Sequence, residues 1–178
     1  MIRIISGTKK NLQLAVAPNV TRPLTDRIKA SIFDLIREFI PNNFVLDIFA
    51  GSGAFGLECL SRGALHADFV ENDATAIQII FQNIQKAKFQ LSSNVYETNA
   101  EQFLKSTKNR YRLVFLDPPF NLLEKSSYLP LVAKIIEPNA LVILRIPVKE
   151  NWEDPRALAL TQVYQKKYGE SLVAFYRN

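Results

Sequence analysis

The chain of 178 residues has one cysteine, one histidine, one methionine and one tryptophan. A lone Cys59 allows no internal disulfide and no cysteine-based zinc cluster. A lone His66, with no serine-nucleophile motif beside it, leaves little room for Ser-His-Asp chemistry and reads as a loop histidine. Long apolar runs are also missing. No stretch reaches membrane-spanning length, and Met1-Ile2-Arg3-Ile4-Ile5 lacks the apolar core of a secretion signal. We therefore expect a cytoplasmic protein. Charge of one sign is not in great excess: Lys and Arg number 22 against 17 Asp and Glu, a net +5. That balance favours a polyanionic partner without requiring one, since a solvated basic surface would look the same. What is present is 48% apolar residues with 22% charged, enough for one domain with a sizeable core.

Residues 2–6 and 11–17 are β-prone and flank a basic tip, which predicts a hairpin extension over 1–20. Lys9 and Lys10 could meet phosphate there, or could equally be edge charges that discourage strand pairing. Thr25 or Asp26 caps a helix in which Ile28, Ile32, Leu35, Ile36 and Phe39 recur at helical spacing, closed by Pro41. Strands follow at 44–49, 67–71, about 93–98, 111–116 and 140–146. Between them lie helices through Leu57-Glu58-Cys59-Leu60, along the stripe Ala76, Ile77, Ile80, Phe81, Ile84 and Ala87, from Asn99, and over 125–136. Residues 159–167 and 171–177 read as a closing antiparallel pair. The order predicts an α/β fold over 21–178: a doubly wound, mostly parallel, Rossmann-like sheet with helices on both faces and antiparallel strands at one edge.

Two turns in this scheme carry chemistry. Gly51-x-Gly53-x-x-Gly56 lies between a strand and a helix, where glycines admit close backbone approach and a helix N-terminus offers N–H groups. Glu71 follows Gly51 by 20 residues, the spacing at which an acid reaches ribose hydroxyls in a dinucleotide-type βαβ unit. NAD(H) would satisfy those features. Asp47, at the end of the first strand, is placed to accept from an ammonium group, which NAD(H) lacks. The second turn, Asp117-Pro118-Pro119-Phe120, ends an apolar strand abruptly because proline supplies no ladder N–H. The same pattern serves as an ordinary turn. It also presents a carboxylate, free carbonyls and a ring at the end of a strand, suited to a flat base bearing an amine. S-adenosylmethionine combines the ammonium, the ribose and the adenine that these features suit.

At this point Leu46-Asp47-Ile48-Phe49-Ala50-Gly51-Ser52-Gly53-Ala54-Phe55-Gly56, Arg22-Pro23-x-Thr25-Asp26-Arg27 and Asp117-Pro118-Pro119-Phe120 together resemble the RsmD-type 16S rRNA guanine-N2 methyltransferases. The first and last motifs are shared with many amino-methyltransferases; the arginine-proline segment ahead of them is the more specific. The resemblance implies a class I methyltransferase fold, S-adenosylmethionine as donor, and a guanine of small-subunit (16S) rRNA, alone or in a ribosomal particle, as substrate. Asp47, Gly51, Ser52 and Gly53 would take the methionine end of the donor, Glu71 and Asn72 the ribose, and Asn99 and Ala100 the adenine edge. Asp117, Pro118 and Phe120 would be catalytic. Pro119, Arg22, Thr25, Asp26, Lys9 and Lys10 would contact RNA. Asn99 stands where relatives often have an acid. No metal and no partner subunit are expected. The alternatives are an amino-methyltransferase acting on DNA adenine or cytosine, for which no separate DNA-recognition domain is evident, and a nonenzymatic RNA-binding or assembly factor.

Overall fold

The computed structural model describes residues 2–16, 25–119, 128–148 and 160–178. The strands are β1 (Ile2–Arg3), β2 (Gln13–Leu14), β3 (Phe44–Ile48), β4 (His66–Glu71), β5 (Ser93–Glu97), β6 (Tyr111–Leu116), β7 (Ile136–Pro147), β8 (Thr161–Tyr168) and β9 (Ser171–Arg177). The helices are α1 (Asp26–Leu35), α2 (Ala54–Ser61), α3 (Ala74–Ala87), α4 (Ala100–Ser106) and α5 (Tyr128–Val132). β1 and β2 form their own two-stranded antiparallel sheet.

The main sheet has seven strands in the order β5-β4-β3-β6-β7-β9-β8. β3 pairs parallel with both β4 and β6, whereas β9 is antiparallel to β7 and β8. The chain thus winds outward from β3 to β5, returns, and continues from β6 on the other side. That reversal puts a crevice at the C-terminal ends of β3 and β6, where open α/β sheets bind ligands. Alternate side chains of the central strands enter two cores. Val45, Leu113 and Phe115 pack with Phe33, Phe55 and Ile80 on one face. Leu46, Ile48, Val114 and Leu116 pack with Phe103 and Leu129 on the other. Both faces of these strands are covered, so β3 and β6 are near-continuous apolar runs.

Four expectations need correction. Leu35 is 47% exposed rather than in the core. The buried stripe of α1 runs through Lys29, Ile32, Phe33 and Ile36, one position off the apolar pattern, because Lys29 is buried by an ion pair that hydropathy cannot show. Phe81 is likewise 48% exposed, and the buried places beside it go to Ile79 and to a polar Asn83. The helix expected over 125–136 spans only Tyr128–Val132 in the described residues. Residues 133–135 form a turn instead, and Ile136 already belongs to β7, where it pairs with Tyr111. His66 opens β4 rather than sitting in a loop. No described helix is long and apolar enough to cross a membrane.

Candidate active site at the sheet switch point

At the end of β3 the chain turns sharply over β4. The Val70 carbonyl accepts from both the Phe49 and the Ala50 N–H, at 3.0 and 3.2 Å. Phe49 is held at φ +61°, a left-handed conformation that costs a side chain of this size roughly 1 kcal/mol or more and that clusters at ligand sites. Gly51 and Gly53 follow at φ +56° and +71°, where glycine is unstrained. Glu71 organises this loop. Its Oε2 accepts from the Gly51 N–H at 2.8 Å, and its Oε1 accepts from the N–H groups of Asn72 and Asp73 at 2.8 and 3.0 Å. The 20-residue spacing noted in the sequence therefore has a structural use of its own.

α2 begins directly after the loop. Its Gly56 N–H donates to Asp47 Oδ2 at 3.0 Å. A Cβ on Gly56 would lie 2.4 Å from the Phe69 ring, so close packing of α2 on β4 requires glycine here. Asp47 is 1% exposed, and among the described residues it forms no ion pair. Burial pushes its carboxyl well above the usual range; the Gly56 N–H opposes this, and the charges of Asp117 and Glu71 reinforce it.

Asp117 ends the neighbouring strand β6, its N–H donating to the Ile48 carbonyl at 3.3 Å. Its Oδ2 accepts from Arg145 Nη1 at 2.9 Å, and Arg145 Nε donates to Ser171 Oγ at 3.1 Å. Burial raises the Asp117 carboxyl above its ordinary range, and the Arg145 guanidinium holds that rise back. Among the described residues Oδ1 has no hydrogen-bond partner. A cavity of about 80 Å³ is lined by Asp47, Gly51, Ser52, Phe55, Asp117 and Arg145, among others. That is small beside the roughly 300–1,000 Å³ of ligand pockets.

The remaining predicted residues are distributed more widely. Asn99 caps α4, its Oδ1 accepting from the Gln102 N–H at 2.8 Å, and Ala100 is buried behind it. Both lie at the end of β5, where the Thr98 N–H reaches the Glu71 carbonyl at 3.0 Å. Thr25 caps α1, accepting from the Ile28 N–H at 3.4 Å, and Asp26 pairs with Arg3 at 2.8 Å. Pro118 is buried and Pro119 exposed. Arg22 and Phe120 lie outside the described residues. Lys9 and Lys10 are not brought to the pocket. The hairpin tip sits against Ser61 at the far end of α2, about 12 Å of helix from the glycine loop.

Sequence reasoning missed four polar residues. Glu58 is fully buried and pairs with Lys29 at 3.1 Å and Arg62 at 2.8 Å. It also accepts from the N–H groups of Ile5 and Ser6, so it fastens the hairpin to α2. Asn83 accepts from the Ala15 N–H at 2.8 Å and donates to the Ser52 carbonyl at 2.9 Å, linking the hairpin to the glycine loop. Arg145 is the fourth residue, after Glu58, Lys29 and Asn83. Glu58 and Arg145 stood out as charged side chains inside apolar runs, whereas Lys29 and Asn83 lie beside the apolar stripes of their helices and gave no such signal. Such groups survive inside only with partners.

Comparison with known proteins gives a consistent set of relatives. The family model described as Conserved hypothetical protein 95 matches residues 2–177. The Bacillus subtilis protein YlbH, which carries an rRNA methyltransferase name, is 34% identical over 99% of this chain and 98% of its own length. Ribosomal RNA small subunit methyltransferase D of Escherichia coli K12 is 34% identical over 94% of this chain and 89% of its own. Among solved structures, an Escherichia coli chain bearing the name methyltransferase yhhF superposes with a TM-score of 0.85 at 30% identity, covering 99% of this chain and 97% of that one.

Proposed function

The chain belongs to the RsmD-type family of rRNA methyltransferases, and from that premise we propose that it transfers a methyl group from S-adenosylmethionine to the exocyclic N2 amine of a guanine in small-subunit rRNA. It is an rRNA methyltransferase in the family's sense; the donor, the base and the atom are our reading. The observation that carries this reading is the meeting of Asp47 and Asp117 in one cavity across the switch point. Asp47 is a buried carboxyl that forms no ion pair among the described residues, which suits the ammonium of the donor's methionine end. Gly51, Ser52 and Gly53 line that end, Glu71 and Asn72 face the ribose, and Asn99 with Ala100 borders the adenine.

S-adenosylmethionine, when bound, supplies an electrophilic methyl on sulfur. The chain's own residues then position the amine. A guanine amine is a poor nucleophile because its lone pair is delocalised into the ring. Asp117 and the Pro118 carbonyl accept its hydrogens and turn the lone pair out of conjugation, which is chiefly an orientation effect. Arg145 opposes the rise that burial imposes on the Asp117 carboxyl and occupies Oδ2, which leaves Oδ1 for the amine. As nitrogen gains positive charge, the fixed carboxylate stabilises it, and the resulting acidic N–H passes to Asp117 or to water. Phe120 stacks on the extruded base. By the family resemblance Arg22, Thr25, Asp26 and Pro119 contact the RNA, and Lys9 and Lys10 reach its phosphate.

The test is transfer of tritium from labelled S-adenosylmethionine to small-subunit RNA, naked and in particles, followed by nucleoside analysis. Label in N2-methylguanosine is expected; label in another nucleoside overturns the guanine assignment. Asp117→Ala should lower turnover by roughly 100-fold or more while donor binding persists, and unchanged turnover removes Asp117 from the chemistry.

A further inference from the structure

We propose that the groove between α1 and the β8–β9 turn carries the phosphate backbone of the RNA strand that enters the pocket. The inference rests on the rRNA reading of the Asp117 site and adds the surface on which the substrate lies. The groove, of about 480 Å³, is formed by Thr25, Arg27, Ile28 and Ser31 on one wall and Lys166, Lys167, Tyr168 and Gly169 on the other. Arg27, Lys166 and Lys167 are exposed. Ser31 and Tyr168 join their hydroxyls across the floor at 2.7 Å. Lys166 Nζ donates to Ser31 Oγ at 3.1 Å and lies 5.3 Å from the centre of the Tyr168 ring. That fixes one cation over the floor and leaves it two further N–H donors for an anion.

Position supports the same partner. Ser171 faces Tyr168 across the turn and is hydrogen-bonded to Arg145, which holds Asp117. The groove therefore lies at the same end of the sheet as Asp117. Of the acids nearby, Asp26 is matched by Arg3; Asp34 and Glu170 are exposed and do not line the groove. One turn farther along α1 and two residues back along β8, the surface becomes apolar with Leu35 and Tyr164 exposed, where an unpaired base can stack. Cations leading to an aromatic platform form the arrangement by which proteins hold single-stranded RNA.

The experiment measures binding of a small-subunit rRNA fragment by fluorescence anisotropy across a salt series, for the full chain and for the triple variant Arg27→Gln, Lys166→Gln, Lys167→Gln. Each lost phosphate contact removes about 0.7 from the slope of log affinity against log salt, so a loss of about 2 is expected, with affinity at least about tenfold weaker at low salt. The KM for RNA in methyl transfer rises, and donor affinity and thermal midpoint stay as in the parent chain. Lys108→Gln with Lys134→Gln, away from the groove, leaves the slope intact. A triple variant with the parent slope and KM overturns the groove, as does a slope lost only with Lys9→Gln and Lys10→Gln. If the parent chain binds RNA but labels no N2-methylguanosine, the proposed reaction fails while the groove still stands or falls on the slope.

Discussion

Arg145→Ala tests the electrostatic logic of the pocket most directly. The Arg145 side chain is 7% exposed and its partner Asp117 is 21% exposed, with 2.9 Å between Nη1 and Oδ2. Removing one member of a buried pair costs about 3–5 kcal/mol, because the other is left charged and uncompensated. The partial exposure of Asp117 argues for the low end, about 3 kcal/mol. The carboxyl can escape this cost by binding a proton, which converts about 3 kcal/mol into an upward pKa movement of about 2 units. Asp117 already titrates above the ordinary carboxylate range in the parent chain. In the proposed mechanism activity needs the ionised form, so the acid limb of the pH–rate profile should rise by about 2 pH units in Arg145→Ala. The rate should fall most below neutrality and recover toward high pH. The assay is single-turnover methyl transfer to rRNA across pH. Arg145→Lys keeps the charge but loses the bond to Ser171, and should shift the limb by less. An acid limb unmoved in Arg145→Ala, with the protein folded, would refute the argument. Stability gives an independent sign. A carboxyl whose folded pKa is raised binds its proton more tightly in the folded state. Its contribution to stability is greatest at low pH and is lost as pH rises through the folded pKa. The thermal midpoint of Arg145→Ala should therefore fall farther below the parent as pH increases.

Two further substitutions examine the donor side. Asp47→Asn removes a buried charge while keeping an acceptor for the Gly56 N–H; it should raise apo stability at neutral pH by about 0.5–2 kcal/mol. It should also weaken S-adenosylmethionine binding by about 1.5–3 kcal/mol, as calorimetry would show, and unchanged donor affinity would dissociate Asp47 from the ammonium. The stabilisation should grow with pH, because the raised Asp47 pKa makes its charged form the destabilising one. Gly56→Ala places a Cβ 2.4 Å from Phe69 Cε1 and should cost about 1–3 kcal/mol by overpacking. Chemical denaturation would measure that loss, and Phe69→Leu in the same chain should recover part of it.

Much of the fold was legible because it depends on local pattern. β3 and β6 read as buried strands from their near-continuous apolar runs, and both lie at the sheet centre with two covered faces. The glycine loop and the Asp-Pro-Pro turn were visible because turns demand particular residues whatever surrounds them. Leu35 and Phe81 were misplaced because hydropathy ranks a phenylalanine above an asparagine at every position. In the folded chain, Asn83 outranks Phe81 by bonding Ala15 and Ser52, and a bonded amide is not costly to bury.

The sequence by itself determined which residues stand at the strand ends and tight turns, and in what order: Asp47 and its glycines, Glu71 at its spacing, then Asp117 with its prolines. It did so because strand ends and tight turns follow from nearest neighbours. Only the tertiary structure decided which of them share a cavity, and with what charge beside them. Asp47 and Asp117 are 70 residues apart in the chain and meet because winding reverses between β3 and β6. Arg145 comes from β7 to oppose the rise that burial imposes on the Asp117 carboxyl, and Ser171 comes from β9 to hold Arg145. Electrostatic environment is a property of distances between residues remote in sequence, and no local pattern encodes such distances.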